Sequence, residues 1–316
     1  MNISIKISEI QKQNTRNTLI ITGAPRSGTS LLGMLVSTLD GIDYHFEPPM
    51  LWVLSALLSM KALQPEVASI LLQLHLHEDL LLESVLGRKA NLRPGDDSLV
   101  LKSINWTELL SRWQNIHSRD DAISYISDRH VRLAIKMPSV INAIPFFETA
   151  LSESRFLVII RDGRDVVKSI IKKMWFSDEG LENNFWPYKV VDGKKAPHLV
   201  EDSMVGEWSR MNEATRACYL WRRDAEFALH ASDNGMDRKL YILTYEDLRR
   251  YPDRIMKEIA KFLSTRTTDL TKLGTMSVRP MTNKKLSGNK YGFLSVVDAK
   301  ELIKFNEINA IWGYSD

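Results

Sequence analysis

The sequence is poor in several things that would narrow its function quickly. Its 316 residues include one cysteine, Cys218. An intramolecular disulfide is therefore excluded, the composition fits a reducing compartment, and Cys218 reads as a packing residue in a helix. Neither sign of charge dominates. The chain has 42 Lys and Arg against 39 Asp and Glu, a net +3, so composition gives no argument for a nucleic-acid partner. The seven histidines do not fall at metal-ligand spacing: His75 and His77 lie two apart in a helical stretch and face different ways. No metal is expected. Long apolar runs are missing too, because Lys61, Pro65 and Glu66 break the Leu-rich stretch Met50 to Leu86 short of a membrane span. Residues 1–17 are polar and mixed in charge, without the apolar segment of a signal peptide, and read as a frayed lead-in. The expectation is a cytoplasmic protein with one α/β domain over residues 1–316.

What is present is concentrated between Thr18 and Leu39. Leu19-Ile20-Ile21 is a short apolar run that reads as a buried parallel strand. A turn follows, Gly23-Ala24-Pro25-Arg26-Ser27-Gly28. Then comes a helix with Leu31, Leu32, Leu35, Val36 and Leu39 as its apolar positions. Strand, glycine turn and helix make a phosphate cradle, because a helix N-terminus presents unpaired N–H groups and partial positive charge. Gly28 lets the backbone approach an anion closely. Thr29 and Ser30 add hydroxyl donors, and Arg26 adds a permanently charged fork. Gly23 and Gly28 have Walker A spacing, but Thr29 stands where that loop needs its lysine. The loop can cradle a phosphate, yet it lacks the lysine of a nucleoside triphosphatase. An ordinary strand–turn–helix corner does not need so many anion-binding groups in one turn.

Three later stretches carry candidate chemistry. In Gly41 to Pro49, Pro48 keeps Glu47 out of the α region, so the segment is a strand or a turn at the binding end of the sheet. A glutamate in a loop is ordinarily a solvated charge. Glu47 sits among aromatic and proline residues one helix after the cradle, and a general base of raised pKa is the competing reading. Leu133-Ala134-Ile135-Lys136 reads as a strand ending in a lysine before Met137-Pro138, which points Lys136 into a site. Phe156 to Ile160 is a continuous apolar strand that breaks into Arg161-Asp162-Gly163-Arg164-Asp165 and a helix carrying Ser169. This is a second anion site. The alternative is that the arginines pair with Asp162 and Asp165, or that Asp162 ends a Walker B strand.

Two phosphate-type sites on one sheet without a Walker lysine suit a nucleotide with two separate anionic groups. On these residues the chain resembles the sulfotransferases that use 3′-phosphoadenosine 5′-phosphosulfate (PAPS). Pro25-Arg26-Ser27-Gly28-Thr29-Ser30 resembles their loop for the 5′-phosphosulfate. Arg161 and Ser169, eight residues apart, match the arginine and serine for the 3′-phosphate. The motifs are closest to the tyrosylprotein and carbohydrate sulfotransferases, since the cytosolic small-molecule group usually has lysine where Arg26 stands. Phe46-Glu47-Pro48 is similar to the segment whose glutamate is taken as the base in carbohydrate sulfotransferases. Lys136 falls where the family has a lysine near the transferring group. The cytosolic enzymes carry a histidine base two residues after that lysine; here the position is Pro138, which strengthens Glu47. Tyr245-Glu246-Asp247 resembles a strand-end segment near the adenine. A late basic loop that closes over the nucleotide would supply Lys284, Lys285 and Lys290.

The resemblance implies a P-loop-like three-layer α/β fold with a central, mostly parallel sheet. It implies PAPS as donor, PAP (3′-phosphoadenosine 5′-phosphate) as product, and no obligatory metal. Glu47, Lys136 and Arg26 would be catalytic. The acceptor is expected to be a saccharide or a glycolipid, the latter bringing peripheral contact with a membrane; a tyrosine, phenol or small natural product is the alternative. A P-loop kinase or NTPase and a non-catalytic nucleotide-binding protein are the rival classes. Residues 50–130 read as a helical insertion whose leucines either pack in the core or form a lipid-facing lid. Residues 175–235 read as an acceptor-side loop and helix, with Phe185-Trp186-Pro187-Tyr188 offered to a sugar or packed on helices. A helix near 105–115 should present Trp106, Leu109, Leu110 and Trp113 on one face. Arg216, Arg222 and Arg223 read as a solvated face, and the last helix, 298–312, as a docking element.

Overall fold

The computed structural model describes residues 6–96, 98–104, 106–183, 188–233, 238–279 and 290–314. Its centre is a five-stranded parallel sheet in the order β2-β3-β1-β4-β7. The strands are β1 (Leu19–Thr22), β2 (Ile42–Phe46), β3 (Arg132–Lys136), β4 (Arg155–Ile160) and β7 (Leu240–Thr244). β1 is buried along its whole length and has a neighbour on each side, with Ile20 in register with Ile135 of β3 and Phe156 of β4. That placement explains its unbroken apolar run, since both faces of a central parallel strand are covered. The chain leaves β1 toward β2 and β3 on one side and crosses to β4 on the other. A crevice therefore opens at the carboxyl end of β1.

Helices cover both faces. One face packs on the cradle helix Thr29–Val36, through Leu32, Leu35 and Val36, and on the helix Pro252–Leu263, through Ile255, Met256, Ile259 and Leu263. The other face takes the Leu-rich insertion between β2 and β3, with Leu51, Leu54, Leu72, Leu76 and Leu81 in the core. Core packing is thus the main role of that insertion, although Met50, Val53, Val67 and Leu71 stay exposed on its helices. A third cluster joins the helix Gly163–Ile171, the long helix Glu213–Asp233 and the last helix, Ala299–Ile311, around Trp208, Trp221 and Phe305. Among the described residues no helix is long and apolar enough to cross a membrane.

Several expectations need correction. The lead-in holds a helix, Glu9–Thr15, closed by a capping box between Ser8 and Gln11. Residues 188–197 form a hairpin of β5 (Tyr188–Val191) and β6 (Lys194–Pro197), where a polar loop was expected. Its turn is Asp192-Gly193, both at positive φ, which is the two-residue hairpin geometry. The helix Trp106–Asn115 buries Leu109 and Arg112, whereas Trp106, Leu110 and Trp113 are exposed. Arg216 and Arg222 are buried, not solvated. Arg222 forks onto Glu301 at 2.7 and 2.9 Å and onto Glu226 at 2.8 Å, and Arg216 bonds Asp178 at 2.6 Å. Arg223 bonds the Leu199 carbonyl and, at 3.1 Å, Glu201. Cys218 is fully buried, and burial pushes its thiol pKa up. Phe185, Trp186, Pro187, Lys284 and Lys285 lie outside the described residues.

Candidate active site

The cradle forms because Gly23 and Gly28 both take positive φ, and Gly28 caps the helix that starts at Thr29. A side chain at Gly28 would overlap the Tyr245 ring, and one at Gly23 would overlap the Ile159 carbonyl, so the loop is pinned between β4 and the end of β7. Pro25, Ser27 and Thr29 are buried, Ser30 and Gly28 are half-buried, and Arg26 is exposed. The hydroxyl of Ser27 is buried with no hydrogen-bond partner. A polar atom left in that state is costly unless a ligand completes it.

The two expected anion sites meet. Arg26 Nε donates to Ser169 Oγ at 3.0 Å, although the residues are 143 positions apart. Arg161 Nη1 donates to the Arg26 carbonyl at 3.1 Å, and the Arg161 guanidinium lies 4.5 Å from the Tyr245 ring centroid. Arg161 Nε is buried without a partner. Tyr245 thus wedges between Gly28 and Arg161, and Trp175, which the sequence reading passed over, lies 5.9 Å from Arg26. The helix behind this site starts with Asp162, whose carboxylate accepts from the Arg164 amide and side chain, while Asp165 bonds Arg161 at 3.3 Å. The salt-bridge alternative therefore coexists with the site. Lys290 Nζ lies 2.9 Å from Asp165 Oδ1, and Tyr291 donates to the same oxygen at 3.0 Å. Burial pushes the Asp165 pKa up, but Lys290, Tyr291 and Arg161 outweigh it and hold it below the ordinary value.

On the other side of β1, Lys136 and Glu47 form an ion pair. Lys136 is 2% exposed and lies 4.2 Å from the centroid of Phe46, whereas the Glu47 side chain is 32% exposed. The carboxylate therefore faces a cation, not the purely apolar setting its sequence neighbours suggested. Glu47 has φ +44°, Arg26 +70° and Ser139 +54°, so the ends of β2, β1 and the loop after β3 each hold a non-glycine residue in a strained conformation. Such strain, of order 1–3 kcal/mol per residue, concentrates at functional sites.

Two supports were not visible in the sequence. Ser139 donates from its backbone to the Gly23 carbonyl at 2.9 Å and from its hydroxyl to Asp224 at 2.7 Å, which ties the Lys136 loop to the cradle. Burial pushes the Asp224 pKa up to about 6, against the lowering by Ser139 and Arg223. Asn309, on the last helix, accepts from the Gly163 amide at 2.9 Å and so fixes the helix that carries Ser169. Both contacts join segments far apart in sequence, and no local spacing announces them.

The carboxyl ends of the parallel strands thus gather a lysine-free glycine loop, the Arg161 cluster beside it and a carboxylate–lysine pair opposite. The model of the sulfotransferase family matches residues 18–269, and the chain belongs to that family and is a sulfotransferase enzyme. Enzymes of this family generally use PAPS. No curated protein matches the chain in sequence. Among solved structures, the sulfotransferase domain of the Synechococcus PCC 7002 olefin synthase aligns over 96% of both chains, at 14% identity and a TM-score of 0.50. The sulfotransferase domain of the curacin biosynthetic pathway aligns over 95% of this chain and 98% of its own, at 14% identity and 0.50. Mouse SULT7A1 complexed with PAP aligns over 93% of this chain and 83% of its own, at 11% identity and 0.39. The first two share the P-loop-like fold.

Proposed function

We propose that the enzyme moves a sulfuryl group from PAPS to the hydroxyl of a saccharide or glycolipid, with the donor held across β1. The observation that carries this reading is the Arg26–Ser169 hydrogen bond, which makes one continuous surface of the cradle and the Arg161 site. Buried Ser27 Oγ and Arg161 Nε are the unfilled donors such a nucleotide would complete. The loop 25–30 would hold the 5′-phosphosulfate, Arg161 and Ser169 the 3′-phosphate, and Tyr245 and Lys290 would flank the nucleotide; Lys284 is a candidate on resemblance alone. PAPS supplies an activated sulfuryl group.

The residues then divide the work. Glu47 takes the proton of the acceptor hydroxyl as that oxygen bonds to sulfur. The bond from sulfur to the 5′-phosphate oxygen breaks with its electron pair on that oxygen, leaving a sulfate ester and PAP. Arg26, the loop amides and Lys136 stabilise the charge that grows there. The ion pair with Lys136 orients the Glu47 carboxylate, and the leaving group offers Lys136 a competing anionic partner. A saccharide acceptor is supported by the Phe46-Glu47-Pro48 segment. A lipid-linked one is supported by exposed Met50 and Val53, on the helix that starts two residues after Glu47.

Calorimetric titration with PAP tests the reading. The expected result is tight binding that persists in EDTA and weakens by roughly 10- to 100-fold in Arg161→Ala, the loss of a charge-assisted contact. Preference for ATP with magnesium over PAP would sink it.

A further inference from the structure

A cavity of about 350 Å³ lies beside the edge strand β2, next to the Glu47–Lys136 pair. Phe46 and Pro48, the two neighbours of Glu47, are in its wall, and the Phe46 ring also packs against Lys136. Two histidines line it, and each is paired with an aspartate. His45 Nε2 lies 2.9 Å from Asp43 Oδ1, and His75 Nδ1 lies 2.7 Å from Asp79 Oδ2. A carboxylate only accepts, so each of those ring nitrogens carries a proton and each imidazole has a fixed orientation. Nε2 of His75 is left buried with no hydrogen-bond partner.

Among the described residues of the wall, cations outnumber carboxylates: Lys89, Lys102 and Arg112 stand with Asp43, and Lys89 Nζ donates to the Asp79 carbonyl at 2.8 Å. Asp43 is itself bonded by Ser84 at 2.9 Å and Arg112 at 3.3 Å. Burial raises its pKa, but His45, Arg112 and Ser84 together hold it below the ordinary value, so it stays ionised and is already engaged. Among the described residues no three His, Cys, Asp or Glu side chains gather to hold a metal ion. The histidines therefore offer hydrogen bonds, and the wall as a whole complements an anion with hydroxyl groups. Phe46 supplies an apolar face against which a sugar ring can lie.

We propose that this cavity is an acceptor subsite for a negatively charged sugar ring, adjoining the ring whose hydroxyl is presented to Glu47. The anion faces Lys89 and Lys102, and a ring hydroxyl completes the empty valence of His75. This rests on the sulfotransferase reading of the neighbouring cradle, and the test separates the two.

Saturation-transfer NMR would compare methyl β-D-glucuronide with methyl β-D-glucoside on the full chain, with and without PAP. The expected result is roughly tenfold tighter binding of the glucuronide, lost in Lys89→Gln and in His75→Leu, the scale of one charge-assisted contact. Lys89 is exposed, so its variant is expected to fold even where His75→Leu is not. Equal binding of the two glycosides overturns the proposal. So does a preference that both variants leave intact, or no binding of either sugar. PAP titration of the same samples reports on the donor site alone. Loss of PAP binding in the parent chain sinks the cradle reading, while the PAP-free spectra still decide the cavity.

Discussion

Two ion pairs with a buried cation differ in setting. Arg222 and Glu301 are each 7% exposed, and the guanidinium is forked onto two carboxylates at once, Glu301 and Glu226. Lys136 is as buried as Arg222, but its partner Glu47 is a third exposed and sits on a strained backbone at the open end of β2. The first pair has both members buried and joins the long helix to the last one, with Glu226 reaching Arg222 from the surface. The second has one foot in the core and one in the crevice. A buried charge whose partner is buried on another helix ties the two elements together, and on the proposed reading a buried charge whose partner lies at the open end of a strand would meet the ligand.

The largest effect should come from opening the second pair. Glu47→Gln is expected to lower turnover by about 10²- to 10⁴-fold, the range for a lost general base, while calorimetric PAP affinity stays within a few-fold. Loss of PAP binding together with turnover would mean that Glu47 is structural, and the contrast would collapse. Arg222→Ala should show the reverse. Breaking a buried pair costs about 3–5 kcal/mol of stability in a denaturant titration, yet the folded fraction should bind PAP as before.

Asp224→Asn sharpens the contrast in a third way. The carboxyl has a folded pKa of about 6, above the ordinary 3.8, because it is buried. Its ionisation therefore opposes folding. The penalty is complete well above pH 6, shrinks as pH falls through 6, and is gone near pH 4. Asparagine keeps an acceptor for Ser139, so the variant should gain up to ~3 kcal/mol at pH 8 and nothing near pH 4, read from melts at the two pH values. A gain independent of pH would refute the assignment. The smallest effect is expected at the cradle itself. Gly28→Ala strains a residue at φ +100° and crowds Tyr245, which should cost ~1–3 kcal/mol and weaken PAP without touching the Arg222 cluster.

The parts legible in sequence were those whose cause is local. β1, its glycine turn and the cradle helix follow from a short apolar run, two glycines and a 3.6-residue period, all within Thr18 to Leu39. Lys136 and Arg161 were legible because each follows an apolar strand at its carboxyl end. Arg222 was misjudged because its partner, Glu301, is 79 residues away and the intervening pattern of charges looks like any exposed helix. The same holds for Ser139 with Asp224, 85 residues apart, and for the cavity beside β2, whose wall is gathered from the cradle helix, β2 and separate segments of the insertion. The Asp192-Gly193 hairpin is a different failure: its turn signal was present, and the polar residues around it drew attention away from Val190 and Val191.

The position of β1 has a metric consequence. Lys136 ends the strand on one side of it and Arg161 follows the strand on the other, so two interstrand steps, about 10 Å, separate the two residues along the sheet. Backbone hydrogen bonds set that distance, and side-chain rotamers adjust it only at the margin. If the proposed site residues hold the donor, the sheet would work as a gauge. A nucleotide whose anions stand apart on opposite ends of its ribose can touch both marks at once. On the proposed reading, one that carries all its phosphates in a single chain would meet one mark and not the other, which is why PAP and ATP are the pair to compare.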